Sequence, residues 1–378
     1  MIIRNATAFL GHSFRSGIDI RLKHGMITEL GTNLAAGSYE TVEDVQGDFV
    51  IPGFVDVHIH AFRGRDTMEG EEAVRHMSRE LYREGVAAFL PTTMSASPEE
   101  TAMALRGTAA VMAQPEKNGA QVLGAHMEAP FLAEAKAGAQ RKEFFLDPDY
   151  ETFLSLCDHH PEAVRLITLA PERAGAEAFI RKAVTEGIHV SIGHTTATAE
   201  QVHLAADWGA DHITHTFNAQ TSLNHREPGV PGAAMSDDRF YAEMICDGIH
   251  LHRDTIRTLY FAKGAKRTVM ITDAMEAAGM PDGTYHLGGQ EVHVRQGEAR
   301  LQNGTLAGSV LRMPVALHHM IHRFDIPAED AVLMCTTTPA CSIGERLAGR
   351  IAEGAPVPLT RWSTDWEMVS ILDDRLDR

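Results

Sequence analysis

The chain has 378 residues, 44% apolar and 22% charged, proportions ordinary for a soluble globular protein. That length exceeds most single domains, so one large domain with a smaller companion is expected. A formal charge of −17 argues against nonspecific binding to nucleic acid or an anionic membrane, and no apolar run approaches the ~20 residues of a membrane span.

With that charge, an anionic substrate would need a local positive pocket. Cys157, Cys246, Cys335 and Cys341 lack C-x-x-C spacing, which suggests neither a thiolate zinc site nor a disulfide framework. The strand-like Met1-Ile2-Ile3-Arg4, with no signal-type apolar segment, makes a reducing cytoplasm the expected compartment. The 21 histidines turn attention to metal, because neutral imidazole is the commonest metal ligand.

Residues 1–50 read as short strands broken by turns, with Ile18–Leu22 alternating, a turn at Lys23-His24-Gly25, and Met26–Leu30 resuming. From Phe49 the texture becomes α/β. Eight apolar runs follow: Phe49–His58, Val86–Thr93, Val122–Glu128, Val164–Ala170, His189–His194, His212–Phe217, Tyr241–Ile249 and Thr268–Asp273. Helix-like stretches separate them, among them Gly70–Gly85, Pro98–Gln114, Glu172–Gly187 and Ala197–Gly209, three of these closed by glycine as a helix end favours. Eight strands alternating with helices favour a closed parallel (β/α)8 barrel over an open sheet. Thr284–Leu306 looks like hairpin strands, 308–347 returns to helix, and Arg350 onward reads as strand and turn. The expected organisation is a barrel at 51–347 inserted into a small β domain built from 1–50 and 348–378.

Ligand-type side chains recur where the apolar runs end. His58 and His60, two apart on a strand, face the same way and can clamp one ion. Glu128 ends the third run two residues after His126 and is read as a coordinating, bridging carboxylate, with a helix cap as the alternative. His194 and His215 end the fifth and sixth runs, and Gly193 lets backbone crowd the site. His212 is read as facing away on the sixth strand, and His203 as a surface or packing residue. Asp273 ends the eighth run, where a carboxylate beside a metal can take a proton from water and return it to a leaving group. Its alternative role is N-cap of a helix at Ala274–Ala277. Arg226 and His250 could supply positive charge for an anionic group.

These residues are recognisable together. In Pro52-Gly53-Phe54-Val55-Asp56-Val57-His58-Ile59-His60, His126-Met127-Glu128, Gly193-His194-Thr195, Thr214–Ala219, His225-Arg226-Glu227-Pro228-Gly229, Asp247-Gly248-Ile249-His250, Thr272-Asp273-Ala274-Met275 and Leu306-Ala307-Gly308-Ser309, the chain resembles the N-acetylglucosamine-6-phosphate deacetylases of the amidohydrolase superfamily. The resemblance implies a TIM-like barrel with a small β-sandwich, a homodimer, and one or two divalent ions (zinc, iron, manganese or cobalt). It implies that Glu128, His194 and His215 hold the main ion and that His58 and His60 allow a second, bridged by Glu128. Asp273 would be the general acid/base. Asn218, Ala219, Arg226 and His250 would bind substrate, the arginine reaching across the dimer to the sugar phosphate.

Four departures surround that pattern. Ala61-Phe62-Arg63-Gly64-Arg65 replaces a glycine run, Ala129 stands in a usual Glu-Gly-Pro, Gln140 occupies the place of a substrate-holding histidine, and Gln220 that of a methionine. Such changes are expected to alter which ligand fits, and Arg63 and Arg65 to supplement the phosphate contacts. The reaction implied is hydrolysis of the N-acetyl group of N-acetylglucosamine 6-phosphate. Alternatives are N-acetylgalactosamine 6-phosphate or an unphosphorylated sugar. A cyclic-amide hydrolase would need a lysine on the fourth strand, and Arg165–Ala170 has none. A non-catalytic scaffold should be missing ligands, and none of the six is missing.

Overall fold

The computed structural model describes residues 1–376; the last two residues of the 348–378 segment lie outside the described residues. Eight barrel strands follow in chain order: Phe54–Ile59, Val86–Thr93, an interrupted third made of Gln121–Val122 and Ala125–Met127, Val164–Leu169, His189–Ile192, His212–Ile213, Tyr241–Ile245 and Thr268–Ile271. Each pairs in parallel with the next. Most are buried along their whole length, which is why they read as continuous apolar runs rather than alternating ones.

Between strands eight and one no ladder forms. Side chain and backbone close that seam instead: Asp56 accepts from the Thr272 hydroxyl at 2.5 Å, and the Asp273 amide donates to the His58 carbonyl at 2.9 Å. The barrel interior beneath the strand ends is polar. Hydroxyls of Ser191, Thr214 and Thr168 contact one another at 2.5 and 2.8 Å, and Thr168 reaches His126 Nε2 at 2.8 Å.

Helices cover the outside where expected, at Glu71–Tyr82, Pro98–Ala113, Ala176–Thr185 and Ala199–Trp208. Ser97 and Thr198 open two of them with reciprocal capping boxes, and Gly209 closes the last in the left-handed conformation at φ 118°. No described helix is long and apolar enough to cross a membrane.

Both chain ends meet in one seven-stranded sheet. Its order is Met368–Leu372, Leu359–Trp362, Phe49–Pro52, Ile2–Leu10, Ser13–Lys23 and Met26–Gly31, with Val42–Asp44 also pairing the Ile2–Leu10 strand. Ile3, Ile20, Leu22, Val50, Val357 and Leu359 form part of its separate core. A three-stranded antiparallel unit at Gly283–Leu287, Gln290–Arg295 and Glu298–Arg300 packs through Leu287, Val292 and Ala299 onto Met94 and Met275, and so hangs over the end of the barrel.

Several local expectations change. The first apolar run, Phe49–His58, divides at Gly53 into a strand of the terminal sheet and the first barrel strand, and the seventh stops at Ile245 instead of Ile249. The sixth strand stops at Ile213 instead of running to Phe217, because His215, Phe217 and Ala219 adopt positive φ (27°, 79° and 50°) and turn the chain inward. His212 and His215 therefore do not alternate on one strand. His212 lies at its start, buried against Asp211 at 2.7 Å. No helix begins at Asp273 either: Ala274 bridges to Ser309, which removes the N-cap reading.

Candidate active site

Six side chains at the C-terminal strand ends converge on one point. His58, His60, Glu128, His194, His215 and Asp273 are between 0% and 7% exposed. Three of them, His194, His215 and Asp273, sit at φ 47°, 27° and 49°, a left-handed region that costs non-glycine residues about 1–3 kcal/mol each. The chain bears that strain where a strand must end abruptly and aim its side chain at the barrel axis. Gly193 permits the approach at His194, since a Cβ there would lie 2.6 Å from the Thr214 Cβ.

The six fall into two groups. In one, Glu128 Oε1 lies 3.1 Å from His194 Nε2 and 3.0 Å from His215 Nε2, and those nitrogens are 3.1 Å apart. In the other, His58 Nε2 and His60 Nε2 are 3.3 Å apart, with Asp273 Oδ1 at 3.6 and 3.2 Å. Glu128 spans the two: its Oε2 is 3.3 Å from His60 Nε2.

The donor set fits a divalent ion. An ion binding nitrogen and oxygen at about 2.0–2.2 Å in tetrahedral directions spaces its ligands roughly 3.4 Å apart, close to the separations found here. Tautomers agree as well. His58 Nδ1 donates to Glu243 at 3.0 Å, His60 Nδ1 to the Thr92 carbonyl at 3.2 Å and His194 Nδ1 to the Lys136 carbonyl at 2.8 Å. Each bond leaves an Nε2 lone pair facing the centre, as metal-ligating histidines require.

Electrostatics point the same way. Burial lowers the His58 and His60 pKa values. Around His58 the carboxylates of Glu243, Glu128 and Asp273 outweigh burial and raise it to about 9. Hydrogen bonds to Asp273 and Glu128 do the same for His60, raising it to about 10. Burial would raise Asp273, yet the charge of His58 and the bond to His60 hold it at about 2. The pocket demands positive charge at its centre.

Above the convergence lies a cavity of about 480 Å³ walled by Asn218, Ala219, His250, Gln140, Lys136 and Arg300, among others. Asn218 Nδ2 donates to the His215 carbonyl at 3.2 Å. His250 Nδ1 is held 2.7 Å from Asp247, which leaves its other nitrogen for the cavity. Arg226 does not line this cavity; it is exposed on the 221–228 loop.

The amidohydrolase family model matches residues 49–372. The chain belongs to the amidohydrolase family. It is 36% identical over 355 residues to N-acetylglucosamine-6-phosphate deacetylase of Lysinibacillus sphaericus, covering 94% of this chain and 91% of that one. It is also 36% identical over 305 residues to N-acetylgalactosamine-6-phosphate deacetylase of Escherichia coli O157:H7, covering 80% of each. A solved structure of a substituted N-acetyl-D-glucosamine-6-phosphate deacetylase from Mycobacterium smegmatis, in complex with N-acetyl-D-glucosamine-6-phosphate, superposes with a TM-score of 0.90 at 29% identity, covering 99% of this chain and 97% of that one.

Against that amidohydrolase frame, most of the departures lie outside the cavity. Ala61 and Phe62 are buried away from it, and Arg63 is bound by Glu84 at 2.9 Å and Arg65 by Glu69 at 2.8 Å. Neither Arg63 nor Arg65 lines the cavity, and each pairs with a glutamate beside it. Ala129 lines a separate, smaller pocket with Pro130 and Leu146. Gln220 is 2% exposed and braces its own loop, donating to the Thr214 carbonyl at 2.6 Å and accepting from the Phe217 amide at 3.2 Å. Only Gln140 faces the cavity, and its amide donates to Glu128 Oε2 while its oxygen accepts from the Ser95 amide at 2.7 Å.

Sequence reasoning missed Glu243. It lies fully buried in the seventh strand and holds His58. The available signal was an acid inside the apolar run Tyr241-Ala242-Glu243-Met244-Ile245. Lys136 and Arg300 were missed as well, because neither stands at the end of a barrel strand: Lys136 ends a short helical turn at Glu134–Lys136, and Arg300 ends the last strand of the three-stranded unit.

Proposed function

We propose that this protein is a metal-dependent deacetylase that hydrolyses N-acetylglucosamine 6-phosphate to glucosamine 6-phosphate and acetate. The observation that carries the reading is the convergence of four Nε2 nitrogens and two carboxylates at the floor of a cavity sized for a monosaccharide. The relatives support the substrate class.

Glu128, His194 and His215 would hold one divalent ion, and His58, His60 and Asp273 a second, with Glu128 between them. Zinc, iron, manganese and cobalt all suit this nitrogen and oxygen set. The chemistry such an ion supplies is Lewis acidity, which activates water near neutral pH. Asp273, ionised throughout the physiological range, accepts the proton of the attacking water as its oxygen adds to the amide carbonyl carbon. The same carboxyl then delivers that proton to the sugar nitrogen as the carbon–nitrogen bond breaks. His250, oriented by Asp247, faces the substrate as a hydrogen-bond donor, and Asn218 and the Ala219 backbone position the sugar. Gln140, on the cavity wall, orients Glu128.

The exposed Arg226 fits a contact to the phosphate bound by a second copy, which makes a homodimer the working assembly. Four unpaired cysteines fit a reducing cytoplasm.

A second reading, the galactosamine epimer, is favoured by the Escherichia coli relative at the same identity. Acetate release from N-acetylglucosamine and N-acetylgalactosamine, each with and without 6-phosphate, separates the two. Fastest turnover of the phosphorylated glucosamine compound is expected. Preference for the galacto compound selects the second reading, and inertness of all four overturns both.

A further inference from the structure

The two ligand groups share one support that is not itself a ligand. Glu243 rises from the seventh barrel strand with no solvent exposure. Its Oε2 accepts from His58 Nδ1 at 3.0 Å and from the backbone amide of His215 at 3.0 Å, so a single oxygen touches one member of each group. Its Oε1 is buried with no partner, and its one ion-pair contact is His58. A carboxylate sealed in a barrel with neither lysine nor arginine beside it depends on that one imidazole for its compensation, and a buried pair of this kind adds little to stability that apolar packing would not supply. The carboxylate is compensated further once positive charge occupies the Nε2 side of the ring it backs.

We infer that Glu243 is a positioning residue that sets His58 for metal and governs occupancy of the His58–His60–Asp273 group. The inference rests on the metal-dependent reading above. By accepting from Nδ1, Glu243 fixes the His58 tautomer and the ring plane, and its charge makes the opposite nitrogen a stronger donor. His60 and His194 lack this feature, because their Nδ1 partners are neutral backbone carbonyls. Of the ligand histidines, His58 alone is backed by a carboxylate, and the other point held by that carboxylate is backbone rather than a ring. Its influence therefore falls chiefly on one group.

The test uses full-length protein stripped by chelator dialysis and titrated with cobalt(II), following visible absorption and bound cobalt. Wild type, Glu243→Gln and His58→Asn are compared, together with metal-free thermal unfolding. In wild type two binding phases are expected, and His58→Asn should remove one of them. Glu243→Gln should weaken that same phase by about 10- to 100-fold and change its absorption, leaving the other within a few-fold. Its metal-free melting temperature should stay within a few degrees of wild type, because the amide keeps the carboxylate's shape and gives up only its pair with His58.

An unaltered isotherm for Glu243→Gln overturns the inference. So does weakening of the phase that His58→Asn leaves intact, or a lowered metal-free melting temperature with both phases equally affected, since either marks a general structural role. Failure of Glu243→Gln to fold would show that the carboxylate serves the barrel itself, and also overturns it. A wild-type protein that takes up no cobalt refutes the metal reading itself, which is a distinguishable failure.

Discussion

Gln140 and Glu128 are joined side chain to side chain, the amide of one donating to the Oε2 of the other, while Ser95 fixes the amide from behind. The bond falls on the carboxylate oxygen nearer His60, and Oε1 is left to His194 and His215. A residue expected from its position to hold substrate thus acts on the carboxylate that spans the two ligand groups.

Replacing it should show this. Gln140→Leu keeps the bulk and removes the donor, so Glu128 loses its fixed orientation. Metal affinity should fall about 10- to 100-fold, with kcat reduced and KM changed less. Bound metal after dialysis and initial rates of acetate release check both. A large rise in KM with full metal content would return Gln140 to the role of a direct substrate contact.

Asp273 is assigned the proton transfers, and Asp273→Asn removes them while keeping shape. The expected loss in kcat is about 10²- to 10⁴-fold, the range a general base or acid contributes. Metal at Glu128, His194 and His215 should persist, and substrate should still bind. Near-normal turnover in this variant would end the assignment.

Proton linkage gives a third expectation. In the metal-free protein His58 and His60 titrate near 9 and 10, above their ordinary 6.5. Their contribution to stability is fully present below about pH 6.5 and is lost as pH rises through 9 to 10. Asp273 has the opposite sign: depressed from 3.8 to about 2, it contributes above 3.8 and loses that contribution as pH falls towards 2. Metal must displace the histidine protons, so its binding near pH 7 should release protons and tighten with rising pH. Calorimetric titration in buffers of different ionisation enthalpy measures the release. Binding without proton release would contradict the charged state of the empty pocket.

Gly193→Ala tests the packing that lets His194 reach the centre. The added Cβ meets Thr214 backbone-proximal atoms at 2.6–2.8 Å, and the buried strands on either side have little room to yield. A cost of about 1–3 kcal/mol, seen as a lowered melting temperature, should accompany weaker metal binding, because His194 is the next residue. Wild-type stability in the variant would mean that the two strands separate more readily than their burial implies.

Much of this site was legible in one dimension because a parallel barrel puts every strand's C-terminal end on one face. A ligand-type residue closing a buried apolar run therefore carries its spatial meaning in its position. His58, His60, Glu128, His194, His215 and Asp273 could be named that way, and so could the eight strands and the terminal sheet. Polar residues within the strands carry no such mark. Glu243 sits two residues before its strand ends, and only the closed barrel, by bringing strand seven behind His58 and His215, turns an oddly placed acid into a support for both.

The loop departures were legible as changes, but their consequences were not. Gln220 turned inward to brace its loop, Arg63 and Arg65 found glutamates, and Gln140 met Glu128. Which partner a long polar side chain takes depends on what the folded chain sets within about 3 Å of it, and residues far apart in sequence decide that. Strand periodicity and chain order, properties of the sequence by itself, determined the barrel and the identity of its ligand-type residues. Tertiary packing alone decided how those residues divide into two groups, which carboxylates hold them in place, and which of the altered side chains face the cavity.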